Sequence, residues 1–296
     1  MKQNLHSGLC ILFAFALFAI ACKKSADEPN SNAVPAGSRD TTLAVIPDPV
    51  VPYPSIPLQE CSNAPNYGDS IVYPQPNSSG NYVYPQNNQG QAGTYLSWPG
   101  GLVMDSQTGI IDLSASQTGQ RYSVGFVLNG SKDTCLAPLI VAGASYMDSV
   151  YVLSDSDTTS TPYFNANPLA GSPCQGNSGP GKGCQFDYND YAKWQGVIVD
   201  KKTGYIDLKN TTKKINFNTL INGQYLITRI YYKLNDNSNN APQMIQLKLI
   251  YYAHKSDIPP ALLAQVSNRS SSALNYQLLD NGPAPRPPLI IIVRSH

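Results

Sequence analysis

The stretch GLVMDSQTGIIDL, Gly101 to Leu113, returns as GVIVDKKTGYIDL, Gly196 to Leu208, 95 positions later (196 minus 101). Gly101, Asp105, Thr108, Gly109, Ile111, Asp112 and Leu113 meet Gly196, Asp200, Thr203, Gly204, Ile206, Asp207 and Leu208. In each copy apolar residues alternate with their neighbours: Leu102, Met104, Ile111 and Leu113, then Val197, Val199, Ile206 and Leu208. Period two marks strands with one buried face. The Asp-x-x-Thr-Gly between them reads as a structural turn. Asp105 and Asp200 accept backbone N–H groups, and Gly109 and Gly204 take the left-handed conformation.

The duplication continues. Gly119-Gln120 and Ala137-Pro138 meet Gly223-Gln224 and Ala241-Pro242, now offset by 104 (223 minus 119), so the second copy holds 9 extra residues (104 minus 95). Each Gly-Gln opens an alternating strand, followed by a polar turn and a further strand. Trp98 and Trp194 precede the two hairpins with a one-residue slip. Pro99, Gly101, Leu102, Asp105, Thr108, Gly109, Ile111, Gly119 and Tyr122 together resemble the immunoglobulin-like and cadherin-like repeats of bacterial surface proteins. That resemblance implies an all-β chain of two tandem immunoglobulin-like β-sandwich modules. Each is near the ~100 residues of such a fold. The expected units are residues 59–155 and 163–258, with Ser154 to Pro162 as linker. The early strands of each copy are not recognisable, and the motif specifies a fold far better than a function.

The N-terminus supplies an address. Residues 1–21 carry Lys2 and an apolar run from Leu9 to Ile20, and Ala19-Ile20-Ala21-Cys22 resembles the box cleaved by lipoprotein signal peptidase. The run is too short to span a bilayer. Cys22 is therefore the expected lipidation site, carrying several acyl chains for stable anchoring. Lys23 to Glu28 resembles a surface-export signal, which implies an outer-membrane lipoprotein exposed at the cell surface. Residues 22–58 are rich in Pro, Ser, Asn and Ala and read as a disordered tether. Residues 259–296 are an extension: Pro259 to Asn268 makes a helical turn or two, and LIIIVR, Leu289 to Arg294, is a buried strand docking on the second module.

Once Cys10 leaves with the signal and Cys22 takes lipid, four cysteines remain in an exported chain, which predicts two disulfides. Of three connectivities, Cys61–Cys135 with Cys174–Cys184 is favoured. The first pair joins strands that lie close in such modules, and the second staples a Gly-rich loop. The spacing does not suit a metal site.

Little chemistry is signalled. Gly176 to Lys182, GNSGPGK, lacks the Ser or Thr, the leading strand and the following helix of a phosphate-binding loop. His6 is removed, His296 is terminal and His254 has no histidine to pair with, which disfavours Ser-His or Cys-His catalysis. Without Lys2 the chain has 19 basic and 19 acidic residues (20 minus 1, against 19), which gives no footprint for nucleic acid. Asp236 with Asn235 and Asn237 is the minority option for calcium. The preferred reading is a hairpin loop, and no cofactor is expected. Tyrosines cluster at Tyr82 and Tyr84, Tyr231 and Tyr232, and Tyr251 and Tyr252; in the two adjacent pairs one ring is expected to face the core and one to face out. The leading expectation is a non-enzymatic binding, adhesion or structural lipoprotein whose partner is a surface protein or a glycan. The alternatives are a glycan-binding accessory protein of a polysaccharide-uptake system and a carboxylate-based hydrolase.

Overall fold

A computed structural model of the chain describes residues 62–76, 80–98, 100–156, 158–174, 183–215, 221–274 and 288–296, the side chains of 269–274 excepted. The signal segment, Cys22, the tether, Cys61 and the Gly176–Lys182 loop lie outside the described residues. What is described is predominantly β-structure in several sheets.

The first half contains β1 (Ile71–Val72), β2 (Tyr82–Val83), β3 (Gly93–Trp98), β4 (Ile111–Asp112), β5 (Gln120–Leu128) and β6 (Thr134–Val141). Four of these form one sheet in the order β1-β6-β5-β3, with β1 parallel to β6 and the other pairs antiparallel. The β2–β4 pair contributes Ile111, which packs with Leu102, Leu113, Tyr122, Val124, Leu139 and Val141. Period-two alternation along β5 sends Tyr122 and Val124 into this core.

The second half contains β7 (Ala144–Tyr146), β8 (Ser149–Val152), β9 (Thr159–Ser160), β10 (Pro162–Phe164), β11 (Gln185–Phe186), β12 (Ile206–Asp207), β13 (Tyr225–Lys233), β14 (Gln243–His254) and β15 (Leu289–Ser295). Its helices are α1 (Tyr191–Trp194), α2 (Leu208–Lys214) and α3 (Pro260–Leu274). The main sheet runs β11-β13-β14-β15-β8, and β15 is parallel to both neighbours. In the first half the opening strand β1 pairs directly with the closing strand β6. In the second half β15 stands between β8 and β14.

Both faces of that inserted strand are covered. Ile290 and Ile292 enter the large core with Leu247, Leu249 and Tyr251. Leu289, Ile291 and Val293 enter a second core with Ile250, Tyr252 and the α3 residues Leu262 and Val266. A strand buried on both sides is an unbroken apolar run rather than an alternating one, and each buried Ile contributes about 1.5–3 kcal/mol. The α3 helix begins at Pro260, a residue preorganised for the first helical position, and lays Leu262 and Val266, one turn apart, on the sheet.

Three expectations are corrected. The helical turn or two expected at Pro259 to Asn268 is a helix of 15 residues, α3, beside sheets that are predominantly β as expected. The boundary at residue 155 cuts through the second half, because β8 pairs with β15 (Ile291↔Val150, Ile292↔Tyr151). The expected linker, Ser154 to Pro162, carries β9, which pairs with β12, and the start of β10, which pairs with β7. A second repeated motif marks the true start of each copy: Tyr67-Gly68-Asp69-Ser70 returns as Tyr146-Met147-Asp148-Ser149, offset by 79 (146 minus 67). The copies drift from 79 to 95 positions apart before the hairpin, which hides this correspondence in the sequence.

The halves meet through a buried polar junction. The fully buried Tyr232 hydroxyl contacts Thr118 Oγ1, accepts from Ala144 N–H at 2.9 Å and reaches Gln243 Oε1 at 3.1 Å. Gln75 of the first half donates to the Asn237 carbonyl and accepts from Asn239 Nδ2, both at 2.9 Å.

Candidate functional site

The repeated turns are alike down to single hydrogen bonds. Asp105 Oδ1 accepts the N–H groups of Gln107 (2.9 Å) and Thr108 (2.7 Å) and the Thr108 hydroxyl (3.0 Å). Asp200 Oδ1 accepts the N–H groups of Lys202 (2.9 Å) and Thr203 (2.8 Å) and the Thr203 hydroxyl (2.8 Å). These donors, led by the backbone N–H of Thr108 and of Thr203, hold both carboxyls below their usual range. Gly109 and Gly204 stand at φ +70° and +77°. Their carbonyls accept from buried hydroxyls, Tyr67 at 2.7 Å and Tyr146 at 2.6 Å, the first residues of the second motif. The acceptor atom of each turn aspartate is filled by the turn itself.

Other residues singled out by sequence fall elsewhere. Cys174 and Cys184 are bridged, and both pack against the large core of the second half. Cys135 is buried on β6 and disulfide-bonded, while Cys61 lies outside the described residues. The loop of Asn235, Asp236 and Asn237 joins β13 to β14. There Asp236 Oδ1 accepts from Ser238 N–H at 2.8 Å, and the Asn237 carbonyl is taken by Gln75. Among the described residues no group of three metal-ligating side chains occurs. His254 does find a hydroxyl, Ser295 Oγ at 3.1 Å from Nδ1, but on the exposed ends of β14 and β15. No carboxylate bonds its ring among the described residues.

Of the two adjacent tyrosine pairs, one departs from the expected one-in, one-out rule. Tyr251 and Tyr252 are both buried, because the sheet has a core on each side there. Tyr82 and Tyr84 are both exposed. They are two residues apart and share a side of an extended chain. Only Tyr231 and Tyr232 divide as expected: Tyr232 is buried, stacked on Phe186 at 5.5 Å, and Tyr231 faces outward.

Tyr231 is the centre of an aromatic face. Tyr188 and Tyr191 meet it edge-on, with centroids 6.5 and 5.7 Å away. Lys233 Nζ lies 5.1 Å from the Tyr188 ring centroid. Burial, and next the neighbouring Tyr231, push the Tyr188 phenol up. Local sequence explains the placement. After Phe186 the chain turns at Asp187, whose buried carboxylate accepts the N–H groups of Ala192 (2.9 Å) and Lys193 (3.1 Å) and so fixes the start of α1. Trp194, at the end of α1, is 80% exposed. Tyr188 and Tyr191 gave no signal in the sequence, because they are distant from Tyr231 and meet it only through β11–β13 pairing.

No protein-family model matches the chain, and no curated protein matches it. Among solved structures it is similar to human protocadherin-24 EC1-2 (7% identity, TM-score 0.21, 63% of this chain and 97% of that one). It is similar too to a SusE-like surface located polysaccharide binding protein from the Bacteroides thetaiotaomicron heparin utilisation locus (10%, TM-score 0.21, 60% of this chain, 32% of that one). A third is Drosophila OTK, extracellular domains 3–5 (11%, TM-score 0.19, 64% of each chain). Similarity at these TM-scores is too slight to define the fold, which rests on the pairing and packing above.

Proposed function

We propose that the chain is a lipid-anchored envelope protein, held at the outer membrane through Cys22 and exposed at the cell surface, with a non-catalytic binding role. In this reading the two repeats are tandem immunoglobulin-like modules, the second enlarged by β15 and α3. The observation that supports binding is the outward-facing aromatic cluster of Tyr188, Tyr191 and Tyr231 on the second sheet. Aromatic rings fixed by their neighbours offer apolar contact area with little entropy left to lose. The hydroxyls at their rims can bond a polar partner. A glycan, with apolar C–H faces and a polar edge, fits that combination, and this favours the accessory-protein reading over adhesion to another protein. The lipid anchor proposed rests on the Ala19-Ile20-Ala21-Cys22 box; among the described residues no helix is long and apolar enough to cross a membrane.

Two experiments test this. Screening the full chain on a glycan array should give binding that Tyr188→Ala with Tyr231→Ala abolishes. Binding that survives the double variant would remove the site, and turnover of any array glycan would overturn the non-catalytic reading. In cells, Cys22→Ala should release the protein from the membrane fraction, and full retention would overturn the lipid anchor.

A further inference from the structure

We infer that the aromatic face takes a linear acidic polysaccharide bearing uronate carboxylates, laid along β13, in preference to a neutral glycan; this rests on the glycan-binding reading above. On β13 Leu226, Thr228, Ile230 and Tyr232 are buried, and the alternate positions are half-buried on the other side. At the Tyr225 end that side packs on the α3 core, so the open stretch runs from Ile227 to Lys233. Register places Tyr231 beside Met244, Arg229 beside Gln246 and Ile227 beside Lys248. That open stretch carries Arg229 and Lys233 and no carboxylate, with Lys248 already engaged at its far end. Arg229 makes no ion pair with any carboxylate among the described residues. The carboxylates of the adjoining turn are occupied: Asp187 caps α1, and Asp190 is held by Lys201 at 2.9 Å and Lys193 at 3.4 Å.

The cations are spaced along the strand and interleaved with rings. Lys233 lies 5.1 Å from the Tyr188 centroid and Lys248 lies 4.2 Å from that of Tyr225. From Lys233 to Arg229 is four residues, roughly 14 Å at ~3.4 Å per residue. Charges strung along a line suit a linear polyanion better than a compact anion. A planar guanidinium matches a planar carboxylate with two parallel hydrogen bonds, and the Gln246 amide beside it can donate to and accept from hydroxyls. Two open cations on a chain of net charge +1 are few for a duplex whose phosphates dominate affinity. An acidic peptide would satisfy the cations and leave the rings without sugar faces to stack on.

The test uses the full chain in detergent with three probes: polygalacturonate, dextran and polyglutamate. Polygalacturonate should bind, weaken as salt rises, and lose about tenfold or more in affinity with Arg229→Gln and with Lys233→Gln. Arg229→Lys should restore part of the loss, since it keeps charge without the paired geometry. All three substitutions are on the solvent side and should leave the melting temperature unchanged. The unmodified chain's salt dependence stands as a separate readout. Equal binding of dextran would overturn the acidic preference and leave the glycan reading intact. Polyglutamate binding as tightly as polygalacturonate would mark a surface for acidic peptides and overturn the inference. Absence of polygalacturonate binding would overturn it outright, while the array decides separately whether the chain binds glycans at all.

Discussion

Gly125 in the first half and Tyr231 in the second occupy the same place. Each precedes the ring, Phe126 or Tyr232, that faces the aromatic partner of its turn, Tyr95 or Phe186. Behind those partners stand Gly109 and Gly204, whose added Cβ would lie 2.6 Å from the Tyr95 ring and 2.7 Å from the Phe186 ring. Around the turn the halves are therefore interchangeable. One layer out they part. A Cβ on Gly125 would lie 2.9 Å from Leu136 and from Thr134 and 3.3 Å from the Trp98 ring, so these three side chains close the outer face of the first sheet at that point. In the second half 4 more residues separate the aromatic partner from the turn (200 minus 186, against 105 minus 95), and the chain makes α1 there instead of prolonging the edge strand. The corresponding tryptophan, Trp194, swings into solvent, and three tyrosines replace the Gly–Trp contact. The two halves share the turn and differ in how far one sheet face is covered.

Breaking the inserted strand should produce the largest effect. Ile292→Ala, at a fully buried position flanked by parallel strands, should cost about 2–5 kcal/mol. Val72→Ala on β1, a short strand without an inserted neighbour, should cost clearly less. Chemical denaturation compares the two, and equal losses would mean that β15 adds nothing to the second sheet beyond what β1 adds to the first.

Gly109→Val and Gly204→Val come next. Each adds the left-handed penalty of about 1–2 kcal/mol and an overlap with an aromatic ring that costs about 1–3 kcal/mol to relieve. Because Tyr232 joins the halves, both substitutions should lower one shared melting transition. Two separately shifted transitions would show that the halves unfold independently.

Loss of the second half's own bridge ranks third. Opening the Cys174–Cys184 bridge, with a sequence separation of 10, should cost about 2–3 kcal/mol. Cys174→Ala with Cys184→Ala should mimic it under oxidising conditions. A double variant as stable as the parent would show that the core holds Cys184 in place without the bridge.

Acid gives the smallest effect. The turn carboxyls of Asp105 and Asp200 titrate below their usual range. Their contribution is therefore present at neutral pH and is lost as pH falls through the depressed folded values. Asp105→Asn and Asp200→Asn should flatten the acid limb of a pH–stability profile by similar small amounts. An unchanged limb in either variant would show that the two turns are not equivalent.

The turns were legible because everything that defines them is local. The Asp acceptor, its donors two and three residues on, and the Gly at positive φ fall within five positions, so one string of letters carries the whole geometry. The hydrophobic run at Leu289 was legible as a buried strand for the same reason. Its place between β14 and β8 was not, since nothing within seven residues states which strands will flank it. The assignment of β8 to the second half, the burial of both Tyr251 and Tyr252, and the meeting of Tyr188 and Tyr191 with Tyr231 depended on the same long-range pairing. Sequence by itself determined the repeated turn and the alternating strands around it, because steric and hydrogen-bond preferences act over a few residues. Tertiary structure decided which sheet faces are covered and which stay open, because burial depends on chain segments that approach from far along the sequence.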